Sequence, residues 1–192
     1  IPSEFQDLTS LKELYLGTND LTGSIYEYMF TNMPNLERVY LAFNNFYGTL
    51  PRFDNLPHLQ EVTLHMNDFY EVTTDTFLNS ISLELISLAN QGDLILHEYA
   101  FRGVPSEAEI ALGGCHIGEI QRGVFAGRHD ALVDLHALDL TTLRSYAFEN
   151  TSNLQIRLTG NYLTSIAPNS FPYGTIHGST CDDYAGMFFF SS

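Results

Sequence analysis

The sequence predicts an α/β solenoid, a stack of short parallel strands joined by returning segments, and three observations predict it. Residues 11–25 read Leu11-x-x-Leu14-x-Leu16-x-x-Asn19-x-Leu21-x-Gly23-x-Ile25. Side chains alternate along a strand, so Leu14 and Leu16 share one face, Asn19 turns the chain, and Leu21 and Ile25 bring it back beneath. The pattern recurs, and its central residues Leu14, Val39, Val62, Ile86, Ile110, Val133 and Ile156 lie 23 to 25 positions apart. A unit this short cannot bury its own apolar side, so the copies must stack on one another.

The copies follow in order. The second is Leu36-x-x-Val39-x-Leu41-x-x-Asn44-x-Phe46-x-Gly48-x-Leu50-Pro51, and the third is Leu59-x-x-Val62-x-Leu64-x-x-Asn67-x-Phe69, closing on Phe77. The fourth, Leu83-x-x-Ile86-x-Leu88-x-x-Gln91, is degraded, with Asp93 at an expected apolar position, and closes on Leu96 and Phe101. The fifth runs Ile110-x-Leu112-x-x-Cys115-x-Ile117 to Phe125, the sixth Val133-x-Leu135-x-x-Leu138-x-Leu140 to Phe148, and the seventh Ile156-x-Leu158-x-x-Asn161-x-Leu163 to Phe171. The outer segments 26–32, 74–80, 121–127 and 145–150 each have room for one helical or 3-10 turn, too short for a free helix.

These copies resemble the leucine-rich repeat, L-x-x-L-x-L-x-x-N/C-x-L, over most of the chain. The first two resemble its plant-type form and the later ones, ending in Ala-Phe or a relative, its typical extracellular form. The resemblance implies a right-handed curved solenoid with a concave parallel sheet. It also implies a ladder in which Asn19, Asn44, Asn67 and Asn161, with Gln91 and Cys115 substituting, satisfy buried turn backbone. Leu138 at the same position cannot hydrogen-bond, so its turn is expected to be irregular or water-bridged. The repeat domain is placed at 1–175, with 176–192 an irregular C-terminal cap or tail. The start, Ile1-Pro2-Ser3-Glu4-Phe5, resembles the tail of a preceding repeat, and the chain reads as a piece of a longer array.

Composition narrows the function. The net charge is −15, from 23 acidic against 8 basic residues, which opposes nucleic acid, bound through cationic contacts to phosphate, and suits a basic or neutral partner. No stretch is long enough to span a bilayer. Cys115 and Cys181 lie about three strand spacings apart, on the order of 14 Å, too far for a disulfide, which needs Cα atoms within about 7 Å. Cys181 fits either the remnant of a cysteine-containing cap or a free thiol. Phe188 to Phe190 fit either a cover for the open end of the core or a contact for a partner.

No catalytic, metal or cofactor motif is present: His65 and His136 share a column but stand three repeats apart. Asn150-Thr151-Ser152 is an N-glycosylation sequon, with Asn150 its candidate acceptor. The concave face carries large amphipathic side chains at its N-terminal end, Tyr15, Arg38, Tyr40, Phe43, His65 and Met66, among which Tyr and Arg are types enriched in binding hot spots, while Ala89, Ala111, Gly113 and Gly114 leave the middle small and flat. The expected function is a non-enzymatic module that binds a protein or peptide, with some basic character, through the concave sheet of an extracellular or cell-surface receptor, adhesion or inhibitor-like protein. The alternatives are a structural or scaffold subunit of a larger assembly, and an accessory domain of an enzyme whose catalysis lies on another segment.

Overall fold

The structure, a computed structural model, describes residues 1–171 and the backbone of residues 175–176 and 187–191. Seven three-residue strands pair side by side in chain order: Glu13–Tyr15, Arg38–Tyr40, Glu61–Thr63, Leu85–Ser87, Glu109–Ala111, Leu132–Asp134 and Gln155–Arg157. All six junctions are parallel, and the central residues Leu14, Val39, Val62, Ile86, Ile110, Val133 and Ile156 face one another in a single register. The strand Met187–Ser191 then pairs antiparallel with Gln155–Arg157, and Thr175–Ile176 lies outside it. The backbone of Phe188 to Phe190 therefore extends the sheet, and Cys181 lies outside the described residues.

A second set of short parallel pairings runs along the flank. Thr22–Gly23, Asn45–Thr49, Asp68–Val72 and Ile95–Leu96 form one group, and Glu119–Ile120, Thr142–Leu143 and Ser165–Ile166 another. Between them Gly92–Asp93 pairs with Cys115–His116. In the first group Gly48 faces Phe69 and Thr49 faces Glu71. Tyr70 is thus one residue too many for the ladder, a bulge of the kind that redirects a side chain.

The core lies between the concave strands and the returning segments. Its backbone of apolar volume is a row of phenylalanines, Phe30, Phe53, Phe77, Phe101, Phe125, Phe148 and Phe171, stacked with ring centroids 4.9 to 6.0 Å apart. Phe30 and Phe53 belong to this row although their copies were expected to close earlier, at Ile25 and Leu50. The 3-10 segment Ser3–Asp7 is the one helix among the described residues. The outer segments hold single turns, as in Met29 N–H to Tyr26 O and Ala126 N–H to Gly123 O.

A second column explains why those turns stop. Asn55, Asn79, Gly103, Gly127 and Asn150 recur every 23 or 24 residues and all have positive φ. Asn and Gly are the residues that visit the left-handed region at least cost. At Gly103 (φ +88°) an added Cβ would stand 2.8 Å from the backbone nitrogen of Asn79, whereas at Gly127 (φ +72°) nothing lies within 4 Å. Gly127→Ala is therefore expected to cost about 1 kcal/mol, the conformational term alone. Gly103→Ala should cost at least about 2 kcal/mol, because the backbone of the neighbouring copy must move. Urea melts of both variants check the difference, and equal losses would contradict the close approach at Gly103.

Candidate functional site

The turn after each concave strand is closed by the side chain three residues beyond the strand's last inward residue. Asn44 Oδ1 accepts the Leu21 N–H at 3.0 Å, and its Nδ2 donates to Leu16 O at 2.9 Å and Leu41 O at 3.0 Å. Asn67 does the same one copy on, accepting from Phe46 N–H at 3.0 Å and donating to Leu41 O at 3.0 Å and Leu64 O at 2.8 Å. Gln91 accepts from Phe69 N–H and donates to Leu64 O. The Cys115 thiol, buried and free, donates to Leu88 O at 3.1 Å, and burial pushes its pKa up. Asn161 accepts from both Leu138 N–H and Leu140 N–H. Asn19 is exposed and bonds only the carbonyls of its own turn, Leu16 and Gly17.

At Leu138 the main chain takes over. Its carbonyl accepts from Ile117 N–H at 2.9 Å and Gly118 N–H at 3.3 Å. The side chain is buried, and both neighbours, Ala137 and Asp139, adopt positive φ. The turn is irregular, and the irregularity lets a backbone oxygen take over the accepting role of the missing amide.

The outward residues at the N-terminal end form two groups, one around Tyr15, Arg38 and Tyr40 and one of Phe43 on His65, with Met66 exposed beyond them. Tyr15 and Tyr40 face each other in register and stack face to face, centroids 4.6 Å apart and planes 9° from parallel. The Tyr40 hydroxyl donates to Glu61 Oε2. That hydrogen bond, the loss of water around the ring and the charge of Glu61 together push the Tyr40 phenol up to about 12. Arg38 sits beside them with Nη1 2.5 Å from Glu13 Oε1 and Nη2 3.2 Å from Gln60 Oε1. It is held rigidly but its charge is already matched, so the patch is not a cationic one. Phe43 packs edge-to-face on His65, centroids 5.2 Å apart, and His65 Nδ1 lies 3.2 Å from Ser87 Oγ.

Phe43 (φ 57°) and Met66 (φ 56°) occupy the left-handed position that precedes the ladder residue, equivalent to Gly114 and Gly160 in later copies. Bulky residues rarely adopt this conformation, and they do so here while remaining 51% and 43% exposed. Tyr15 is 59% exposed.

The middle of the concave face is not flat. Ala111, Gly113 and Gly114 floor a cleft of about 380 Å³ walled by Ala89 and Asn90 on one side and Leu132, Asp134 and His136 on the other. Small residues in the fifth copy lie beside larger ones in the sixth, and the step between them makes the depth. Asp134 is fully engaged: Arg157 donates to Oδ2 at 2.7 Å and His136 Nδ1 lies 2.8 Å from Oδ1. The sequence signal was available as His136 and Asp134 in the columns beside Gly113 and Ala111.

Other groups offer little chemistry. Six of the eight basic side chains pair with carboxylates, namely Lys12, Arg38, Arg52, Arg122, Arg144 and Arg157. Arg128 is buried, and loss of water lowers its pKa to about 10. Among the described residues no three His, Cys, Asp or Glu side chains are placed to hold a metal, and no helix is long and apolar enough to cross a membrane. Asn150 is exposed, and Ser152 Oγ of its sequon lies 2.8 Å from His129 Nδ1.

Comparison with known proteins fits this architecture. A family model described as the BspA type leucine rich repeat region matches in six copies, over residues 2–106 and 49–177. No curated protein matches the chain. A chain in the crystal structure of the Arabidopsis receptor kinase HAESA in complex with the peptide hormone IDA and the co-receptor SERK1 superposes with a TM-score of 0.58 at 22% identity. The match covers 84% of this chain and 31% of that one, and at this identity it shows a shared fold. With a family model matching most of its length, the chain belongs to the BspA-type leucine-rich-repeat proteins.

Proposed function

We propose that this chain is a non-enzymatic module that binds a protein or peptide through the N-terminal half of its concave sheet. The observation that carries the reading is the exposed, preorganised aromatic patch: Tyr15 and Tyr40 are stacked, and Phe43 and Met66 project from backbone positions that bulky residues avoid. The left-handed turn itself belongs to every copy, recurring at Thr18, Asn90, Gly114, Ala137 and Gly160; large apolar side chains exposed on it are particular to these two. Rigid aromatic rings lose little freedom on binding, which favours them as anchors. Glu61 and the overall charge of −15 favour a partner with basic character, and with six basic side chains paired and Arg128 buried, Arg102 alone among the described residues stands as an exposed unpaired cation, too little for a phosphate backbone. The repeat family supports a place in an extracellular or cell-surface protein, where Asn150 would be open to glycosylation.

Tyr40→Ala is expected to weaken binding of the natural partner by about 2 kcal/mol or more, the scale of a hot spot, with little change in melting temperature. Thr159→Ala, at the far end of the face, should leave binding as it is. Phe43→Gly separates the two roles of its position. Glycine accepts the positive φ without strain but gains freedom in the unfolded chain. Its stability should therefore stay within about 0.5 kcal/mol of the parent, while binding falls several-fold. A loss well above about 1 kcal/mol in a urea melt would show that Phe43 is there for the fold.

The scaffold reading has one observation of its own. Tyr47, Tyr70 and Ile95 are exposed large side chains on adjacent flank strands, with Tyr70 set outward by the bulge. If Tyr40→Ala binds like the parent and Tyr70→Ala abolishes association, the chain is a scaffold subunit that works through its flank.

A further inference from the structure

We infer that the cleft floored by Ala111, Gly113 and Gly114 takes a lysine or arginine side chain of an extended peptide ligand, with Glu109 as its counter-charge. The inference rests on the reading of the concave face as a peptide-binding surface, and it adds the ligand's chemistry. Glu109 and Leu132 are neighbours across adjacent strands at one end of the cleft. Leu132 is exposed, and the Glu109 carboxylate makes no hydrogen bond or ion pair to any described side chain. Asp134, by contrast, is saturated by Arg157 and His136. The cleft therefore offers one uncompensated negative charge next to an apolar wall of Leu132 and Ala111. A basic side chain matches that arrangement, with an aliphatic stem for the wall and a charged head for the carboxylate.

The other end supplies groups for a peptide backbone. Gly113 and Gly114 leave room that no other residue would: a Cβ on Gly113 would stand 2.6 Å from His136 Cε1, and one on Gly114 would stand 2.2 Å from Asn90 Oδ1. His136 and Asn90 thus lie over the two glycines. Asp134 Oδ1 is an acceptor, so it holds the His136 proton on Nδ1 and leaves Nε2 for the ligand. The Asn90 amide, which has no partner of its own among the described side chains, both donates and accepts. Together they suit one amide group of an extended chain.

Geometry ties the cleft to the aromatic patch. The strand carrying Tyr40 and the strand carrying Ala111 are three spacings apart in the sheet, about 14 Å at roughly 4.8 Å each. An extended peptide rises about 3.3 Å per residue, so a basic residue should fall about four or five positions from an aromatic or aliphatic residue that rests on Tyr15 and Tyr40.

The probe is a phage-displayed library of random dodecapeptides selected on the immobilised chain. Synthetic peptides from the enriched pool are then titrated against Glu109→Gln, Ala111→Leu and Tyr40→Ala, each with a melting temperature measured as a folding control. Enrichment of lysine or arginine at that spacing is expected. Glu109→Gln should weaken binding by about tenfold, the scale of a charge-assisted hydrogen bond, and should abolish the preference for a basic residue. Ala111→Leu should weaken binding by filling the cleft. Peptides that lose affinity only to Tyr40→Ala, with no basic preference, would overturn the cleft assignment and leave the aromatic face standing. Loss only to Glu109→Gln and Ala111→Leu would keep the cleft and remove the aromatic patch from the reading. No enrichment, or affinity that none of the three variants changes, would overturn both.

Discussion

Phe77→Ala is expected to destabilise the chain by about 4 kcal/mol, within the usual range for removing a fully buried phenylalanine. Phe77 is entirely buried, and its ring lies between Phe53 at 5.8 Å and Phe101 at 6.0 Å. The loss has two parts. One is the transfer free energy of the ring. The other is the cavity left behind, which the flanking rings cannot fill without breaking their own stacking on Phe30 and Phe125. Because each copy touches only its neighbours, the damage should concentrate there. Hydrogen exchange should rise most in the strands Glu61–Thr63 and Leu85–Ser87 and least in Gln155–Arg157. Phe77→Leu, which keeps most of the apolar volume, should cost clearly less. A urea melt of Phe77→Ala showing a loss under about 1 kcal/mol would mean that the row is loosely packed and contributes little.

Asn67→Ala should cost about 2 kcal/mol, the middle of the range for one buried group left unsatisfied. The Phe46 N–H is left without a partner, while the carbonyls of Leu41 and Leu64 each lose one donor but keep another, Asn44 Nδ2 and Gln91 Nε2. Asn67 is 4% exposed, so water has poor access to replace the lost partner, and an unsatisfied buried group costs about 1–3 kcal/mol. Asn67→Asp is the sharper variant. A carboxylate still accepts from Phe46 N–H but meets two carbonyl oxygens with no proton to offer, so it should be no better than alanine at neutral pH. Asn19→Ala is the internal control, because Asn19 is exposed and bonds only its own turn, and it should cost no more than about 0.5 kcal/mol. Equal losses for Asn67→Ala and Asn19→Ala would mean that the hydrogen bonds between copies carry no stability of their own.

The repeat was legible because it is written seven times. A single Leu-x-x-Leu-x-Leu run is ambiguous, but the spacing of 23 to 25 residues leaves only one way for Leu14, Val39, Val62, Ile86, Ile110, Val133 and Ile156 to line up, and the strands pair in that register. Strand alternation then determines that Tyr15, Arg38, Tyr40 and His65 point outward, whereas Phe43 and Met66, which follow the second and third strands, are turned outward by a left-handed backbone that alternation does not encode. Even the phenylalanine row has a period, since 30, 53, 77, 101, 125, 148 and 171 differ by 23 or 24. Phe30 and Phe53 were hidden because the Gly23 and Gly48 motifs suggest an earlier close for the first two copies.

Tertiary structure decided everything that depends on which side chain in one copy meets which in the next. Arg38 reads as a cation in the sequence but is matched by Glu13, 25 residues away. Tyr15 and Tyr40 read as neighbours, but parallel stacking at 4.6 Å is set by side-chain torsions that no spacing encodes. The run of small residues at Ala111, Gly113 and Gly114 reads as flatness, and became a cleft because Leu132 and His136 rise beside it from the following copy. Leu138 reads as a gap in the ladder, and the gap is closed by a carbonyl, a group present in every residue. Periodicity determines the column in which a residue stands, because backbone geometry is common to all copies. What a column does at a given height depends on side-chain size and charge in the copies above and below, and those differ at each step.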